Sequence, residues 1–102
     1  NILHVLSQFE VTGAEVYAVT LAHAQLRRGH RPIIVSDTLS IPTEIRYIQL
    51  PLGRRSYPQR LKNISEISRL IVKNNVHVVH AHSRAASWVS YFATRLTGTA
   101  FV

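Results

Sequence analysis

Short apolar runs alternate with longer segments of helical periodicity along this chain, and this alternation most restricts its fold. Five short runs predict strands, at residues 2–6, 32–36, 46–50, 76–80 and from 100 onward. Three longer segments predict helices, at residues 13–28, 58–74 and 84–96. Strands joined by helical crossovers lie parallel in one sheet, and right-handed crossovers give the strand order 3-2-1-4-5. The sequence therefore predicts the α/β class, with a doubly wound parallel sheet that is truncated at its last strand.

Each predicted helix has one apolar face, which is expected to pack against the sheet. In the first helix, small residues recur every four positions at Ala14, Ala18 and Ala22. The expected inward residues are Leu61, Ile64, Ile67, Leu70 and Ile71 in the second helix and Ala85, Val89, Phe92 and Leu96 in the third. Gly29 and Gly98 follow the first and third helices, where glycine favours the left-handed conformation that ends a helix.

Composition narrows the functional classes. The chain has 102 residues and no cysteine, which excludes a disulfide scaffold, a thiolate zinc site and a cysteine nucleophile. No apolar run in the sequence approaches the ~18 residues of a membrane span, and the N-terminus lacks the pattern of a signal peptide. A cytoplasmic location is therefore expected. Because the chain begins within a strand and ends within an apolar run, we expect it to be a piece of a longer protein.

A doubly wound sheet binds ligands beyond the carboxyl ends of the strands where its winding reverses. The reversal between the first and fourth strands selects two loops, residues 7–13 and 81–84. Neither loop contains GxGxxG or GxxxxGK[ST], so both the nicotinamide fingerprint and the P-loop are missing from them. Gly13 opens a helix whose N–H groups can face an anion. Thr12 and Glu15 also form a capping box that would satisfy those groups internally, and the sequence leaves both interpretations open.

The second loop carries His80 and His82, which point to the same side if the strand persists. A metal site needs a third and a fourth ligand, and none is spaced nearby in the sequence. His82 is interpreted either as a substrate contact or as a structural histidine, whereas His4, His77 and His80 are expected to be structural. Arg84 stands at a helix N-terminus, where a cation is unfavourable, so it is interpreted as an anion contact or as a solvated arginine.

Basic residues are concentrated around the start of the second helix, where no acidic residue interrupts them. They are Arg54, Arg55, Arg60 and Lys62. Such a run is most often a solvated face, and its functional interpretations are contact with an anionic membrane or with nucleic acid. Tyr57 is the one aromatic residue among them, and a platform for stacking single strands needs more. Nucleic acid is therefore not expected as a partner.

Three segments in register resemble the N-terminal, Rossmann-like domain of GT-B glycosyltransferases, in particular glycosyltransferase family 4, formerly group 1. They are Thr12-Gly13-Ala14-Glu15, Leu26-Arg27-Arg28-Gly29-His30 and Val78-Val79-His80-Ala81-His82-Ser83. The resemblance covers nearly the whole chain. It implies a two-domain enzyme that transfers a sugar, with retention of configuration, from a nucleotide-sugar donor to a glycan or lipid-linked acceptor. Polysaccharide or lipopolysaccharide biosynthesis is the implied setting.

The resemblance also implies roles for the two loops. The donor-diphosphate loop is Thr12, Gly13, Ala14 and Glu15, and the acceptor-side loop is His82, Ser83 and Arg84. The family's catalytic-region histidine follows the fifth strand, so no catalytic residue is expected in this segment, and the segment alone should be inactive. The nucleotide-sugar is a co-substrate, and neither a cofactor nor a metal is expected. The basic run would place the enzyme peripherally at the inner face of the membrane.

Two departures from the family pattern are visible. Thr12 stands where the family usually has glycine, which alters one close backbone approach to phosphate, and His77 stands where the family usually has aspartate. Two alternative functions also stay open. One is a basic α/β module that binds nucleic acid or another polyanion. The other is a sugar-nucleotide epimerase, which shares the GT-B architecture but transfers no sugar.

Overall fold

The computed structural model describes residues 1–6, 13–37, 45–52, 57–82 and 84–102, and it arranges them as five strands and three helices. The strands are β1 (Ile2–Val5), β2 (Pro32–Ser36), β3 (Arg46–Gln49), β4 (Val78–Ala81) and β5 (Ala100–Phe101). The helices are α1 (Gly13–Arg27), α2 (Tyr57–Lys73) and α3 (Arg84–Thr97). The predicted order of strands and helices is confirmed.

The strands form one parallel sheet in the order β3-β2-β1-β4-β5, which confirms the predicted class and topology. β1 lies at the centre, with His4 opposite Ile34 of β2 on one side and His80 of β4 on the other. Every residue of β2 is buried, as expected for a strand that helices cover on both faces. The winding direction reverses between β1 and β4, so these two strands define the ligand-binding edge.

All three helices end in the same way, at a residue in the left-handed conformation. These residues are Gly29, Asn75 and Gly98. After α2, the Val76 N–H donates to the Ile71 carbonyl at 3.0 Å, and the Asn75 N–H donates to the Val72 carbonyl at 3.4 Å, which together form a Schellman motif. Because Val76 belongs to this turn, β4 begins at Val78. The prediction that this strand begins at residue 76 is wrong by two residues.

Helices cover both faces of the sheet, with α1 on one face and α2 and α3 on the other. The larger core, between the sheet and the helix pair, includes Leu3, Val5, Ile33, Val35, Ile67, Val79, Val89 and Ala93. The smaller core, under α1, consists of Leu6, Ala18, Val19, Ala22, Ile34 and Ile45. Ala18 and Ala22 are fully buried, which confirms these two members of the small-residue stripe. The side chain of Ala14 lies outside the described residues.

The predicted inward faces of α2 and α3 are wrong in part. Leu61, Phe92 and Leu96 are exposed. The predicted burial of Val89 in α3 is confirmed, and the side chain of Ala85 lies outside the described residues. Among the described side chains of α3, the other buried ones are Ala86, Ser90, Ala93 and Thr94. These small side chains let α3 approach both α2 and the sheet closely, whereas a prediction based on large apolar residues selects the neighbouring face. The predicted burial of Ile64, Ile67 and Ile71 in α2 is confirmed.

Candidate functional site

The ligand-binding edge lies where β1 and β4 end side by side. The His82 N–H donates to the Val5 carbonyl at 2.9 Å, which extends the pairing one residue beyond β4. Each of these strands is followed by a helix. α1, which begins at Gly13, follows β1, and α3, which begins at Arg84, follows β4. Thr12, Ser83 and the side chains of Ala14, Glu15 and Arg84 lie outside the described residues. The topology thus directs the start of α1 and His82 to one edge.

Three histidines meet at this edge. The rings of His80 and His82 are stacked, with their centroids 4.0 Å apart. The centroid of the His4 ring lies 5.6 Å from that of His80 and 5.1 Å from that of His82. His4 is fully buried, and the other two rings are partly exposed. His4 joins the cluster because it pairs with His80 in the parallel register of β1 and β4. The third imidazole therefore comes from a distant part of the sequence, which spacing along β4 does not reveal.

Gln25 on α1 sets the positions of the protons in this cluster. Its Oε1 lies 2.6 Å from His4 Nε2, and because a carbonyl oxygen only accepts, His4 Nε2 carries a proton. In neutral His4 the other nitrogen, Nδ1, then accepts from His82 Nε2–H at 2.9 Å. Donation in this chain of hydrogen bonds therefore runs from His82 at the sheet edge through His4 to Gln25 on α1. The remaining ring nitrogen of His82, Nδ1, bears a lone pair.

Burial lowers the pKa of all three imidazoles. The pKa of His82 falls to about 4, first because burial disfavours the cation and second because charges on His80 and His4 would repel it. Burial also lowers the pKa of His80. It lowers the pKa of His4 as well, where the hydrogen bond to Gln25 acts in the opposite direction. The cluster is therefore neutral near pH 7.

Tyr17 links the beginning of α1 to the histidines. Its ring meets the His82 ring edge-on, with the centroids 5.9 Å apart, while 59% of the residue stays exposed. Tyr17 follows Gly13 by one helical turn, so this contact holds the N-terminus of α1 near His82. The apolar periodicity of α1 gives no indication of this contact, and sequence reasoning missed Tyr17, His4 and Gln25 as site residues.

One basic residue of α2, Arg60, lies beside an aromatic surface of α3. The Arg60 guanidinium lies 5.7 Å from the ring centroid of Trp88, and Lys62 is exposed. A shallow apolar groove of about 450 Å³ is lined by Ser87, Trp88, Tyr91, Phe92 and Phe101. Arg54 and Arg55 lie outside the described residues. Among the residues that the structure describes, no helix has the length and hydropathy needed to cross a membrane.

A separate pocket of about 570 Å³ opens at the amino ends of the strands. Its lining includes Asn1, Arg31, Arg46 and Asn74, and Arg46 Nη1 donates to Asn74 Oδ1 at 2.8 Å. This pocket lies at the opposite end of the sheet from the histidines. The ligand-binding edge of a doubly wound sheet is the carboxyl end, so the histidine edge, and not this pocket, is the candidate functional site.

Comparison with known proteins agrees with this architecture. The sequence model of Glycosyltransferase Family 4 matches residues 11–102. A solved glycosyltransferase from Rickettsia africae ESF-5 matches with a TM-score of 0.84 and 31% identity, over 98% of this chain and 28% of that one. No match is found among curated proteins.

Two further solved structures share the fold. The lipopolysaccharide outer core galactosyltransferase WaaB matches with a TM-score of 0.67 and 13% identity, over 100% of this chain and 32% of that one. The UDP-GlcNAc 2-epimerase from Methanocaldococcus jannaschii matches with a TM-score of 0.61 and 12% identity, over 99% of this chain and 30% of that one. The chain thus spans about a third or less of each of these structures. The family match over most of its length, together with the 31% identical structure, shows that this chain belongs to glycosyltransferase family 4.

Proposed function

We propose that this chain is the N-terminal, acceptor-side domain of a two-domain retaining glycosyltransferase. The donor domain then lies in the part of the relatives' length that this chain does not span. The observation that carries the proposal is the contact between Tyr17 and His82. It holds the start of α1 and the end of β4 at one sheet edge, where a donor diphosphate and an acceptor must meet for transfer.

The start of α1 is the proposed donor-diphosphate contact. α1 is 15 residues long, and its first N–H groups and positive dipole end suit an anion. Thr12, Gly13, Ala14 and Glu15 make up this loop in the proposal. Departure of a nucleoside diphosphate builds negative charge, which fixed dipoles stabilise in the transition state. In this proposal transfer therefore needs neither a metal nor another cofactor.

His82 is the proposed acceptor contact, together with Ser83 and Arg84. Its Nδ1 bears a lone pair because Nε2–H donates to His4, so it can accept a hydrogen bond from an acceptor hydroxyl. The lowered pKa keeps the ring neutral at physiological pH. The role is one of positioning, and we assign no catalytic residue to this segment.

The basic run and the neighbouring aromatic groove form the proposed membrane contact. Arg54, Arg55, Arg60 and Lys62 supply positive charge, worth about 1 kcal/mol each near an anionic surface. Trp88 and Tyr91 are exposed, and such amphipathic rings favour the membrane interface. The enzyme would then act from the cytoplasm on a glycan or lipid-linked acceptor at the inner face, and nucleic acid would not be a partner.

The deciding experiment measures release of nucleoside diphosphate by the complete gene product that contains this chain. The protein is mixed with UDP-, GDP- and ADP-sugars, with and without membrane extract as the acceptor. We expect release with one donor that depends on acceptor, and a product whose anomeric configuration, read by NMR, matches the donor. His82→Ala should lower kcat/KM for the acceptor about tenfold, the equivalent of one hydrogen bond, whereas His30→Ala, an exposed control, should not.

Three other results would overturn the proposal. Failure of every donor with folded protein would favour the polyanion-binding module. Conversion of the donor sugar without acceptor would favour the epimerase. A product of inverted configuration would contradict retention.

The membrane contact is tested separately, by cosedimentation with vesicles that contain anionic lipid. Arg60→Glu combined with Lys62→Glu should abolish binding, and preferential binding of single-stranded DNA would contradict this assignment.

A further inference from the structure

The histidines at the carboxyl edge have a second chemical capacity that the transfer reaction does not use. We propose that His4, His80 and His82 bind a divalent transition-metal ion, with Zn²⁺ as the best fit. Three imidazole nitrogens from two adjacent strands converge there, with the ligand atoms all within 4.8 Å of one another. Three histidines that leave a fourth position open are an established donor set for zinc.

The distances suit an ion after a small movement of the rings. Zinc–nitrogen bonds of ~2.0–2.1 Å in a tetrahedral site place neighbouring nitrogens ~3.4 Å apart. His4 Nδ1 and His82 Nε2 are already 2.9 Å apart, so this pair has to separate slightly. The widest pair of ligand atoms has to close by at most about 1.4 Å to reach the tetrahedral spacing. His80 and His82 are partly exposed at the strand end, so their rings have room to turn.

His4 is already oriented as a metal ligand. Its Nε2–H donates to Gln25 Oε1 at 2.6 Å, which leaves the Nδ1 lone pair directed toward His82 Nε2. Metal-bound histidines typically donate their second ring N–H to a carbonyl or carboxylate oxygen, which fixes their tautomer and orientation. Gln25 therefore serves as an outer-shell partner from α1, and one ligand of the site is held in place before the ion arrives.

Binding exchanges a hydrogen bond for coordination. Without the ion, His82 Nε2–H donates to His4 Nδ1. With the ion, the proton of His82 resides on Nδ1, so that both Nε2 of His82 and Nδ1 of His4 direct lone pairs at the metal. The fourth position would be taken by water or by an oxygen of a ligand. The ion sits where the acceptor is proposed to bind, so it would inhibit transfer. Metal binding itself does not depend on the proposed transferase function.

The test is metal binding by the complete gene product, purified without a polyhistidine tag and stripped with a chelator. Zn²⁺ is titrated in competition with a colorimetric chelator, and Co²⁺ binding is followed by its visible absorption. We expect one ion per chain and the intense bands of tetrahedral cobalt. His80→Ala and His82→Ala, at partly exposed positions, should each weaken binding by at least ~100-fold, and Gln25→Leu should weaken it ~10–100-fold.

The matched control is His30→Ala, which removes an exposed imidazole outside the cluster and should bind zinc like the wild type. The wild-type measurements alone decide stoichiometry and geometry, so they stand even if a variant misfolds. Wild-type protein that binds no zinc, or that gives only the weak absorption of octahedral cobalt, overturns the site. Zinc binding that survives in both His80→Ala and His82→Ala also overturns it, and in these cases the cluster serves only to position His82.

Discussion

The two faces of the sheet bury different kinds of side chain, and β1 shows the contrast within four residues. Leu3 and Val5 point into the apolar core beneath α2 and α3. His4, between them, points toward α1 and is just as fully buried. The face under α2 and α3 is therefore a continuous apolar layer, whereas the face under α1 gives a central position to an imidazole.

A buried polar group destabilises a fold unless it has hydrogen-bond partners. His4 has two, Gln25 on α1 and His82 at the sheet edge. The face under α1 thus buries an imidazole in place of an apolar side chain, and the hydrogen bonds of this imidazole reach the ligand-binding edge. α2 and α3 therefore mainly supply stability, while α1 connects the core to the site.

The largest effect should follow a cavity in the apolar face. Ile67 is fully buried in that core, so we expect Ile67→Ala to lower the free energy of unfolding by about 2–5 kcal/mol. Leu61→Ala on the same helix removes a side chain that is 68% exposed, and it should cost much less. Urea denaturation of both variants measures the difference. Equal losses would contradict the assignment of the two positions.

On the face of the sheet under α1, the free energy of unfolding should be most sensitive to substitution of Gln25. Gln25→Leu keeps a side chain of similar size but removes the acceptor of His4 Nε2–H, so a buried donor loses its partner. We expect a loss of about 1–3 kcal/mol in the free energy of unfolding. Thr20→Ala, an exposed change on α1, is the control. If Gln25→Leu is as stable as wild type, the hydrogen-bond chain contributes nothing to the fold.

The same face should make stability depend on pH. His4, His80 and His82 have a lower pKa in the folded chain than the ordinary value of 6.5. Below pH 6.5 the unfolded chain therefore binds more protons than the folded chain. Stability is full above that pH and falls as the pH drops through 6.5 toward 4, by at most ~1.4 kcal/mol per pH unit for each proton.

This dependence is measured as the urea midpoint between pH 7.5 and 5, with EDTA present so that no ion holds the rings. His82→Asn should flatten the curve because it removes the histidine with the pKa of about 4. Thr20→Ala removes an exposed side chain that does not titrate, and it should leave the slope unchanged. A slope that is the same in all three proteins would assign the pH dependence to groups outside the cluster.

The topology was predictable from the sequence, whereas the composition of the site was not. Apolar runs and their order determine a parallel sheet and its reversal point, so the edge that holds His82 follows from topology alone. The partners of His82 depend on strand register, which places His4 beside His80, and on the orientation of α1, which brings in Gln25 and Tyr17. Neither the strand register nor the orientation of α1 can be read from the spacing of residues along the sequence. Phe92 and Leu96 of α3 were mispredicted as buried for a related reason, since close packing there selects small side chains over large ones.

The smallest expected effect lies at the outer rim of the apolar face, where Arg60 meets Trp88. A cation over an exposed aromatic ring contributes about 0.5–1 kcal/mol, and the guanidinium lies 5.7 Å from the ring centroid. A double-mutant cycle of Arg60→Gln and Trp88→Leu, read by urea denaturation, should give a coupling energy in that range. The matched cycle of Lys62→Gln and Trp88→Leu should give almost none. If the first coupling is also absent, the contact between Arg60 and Trp88 contributes nothing to the stability of the face.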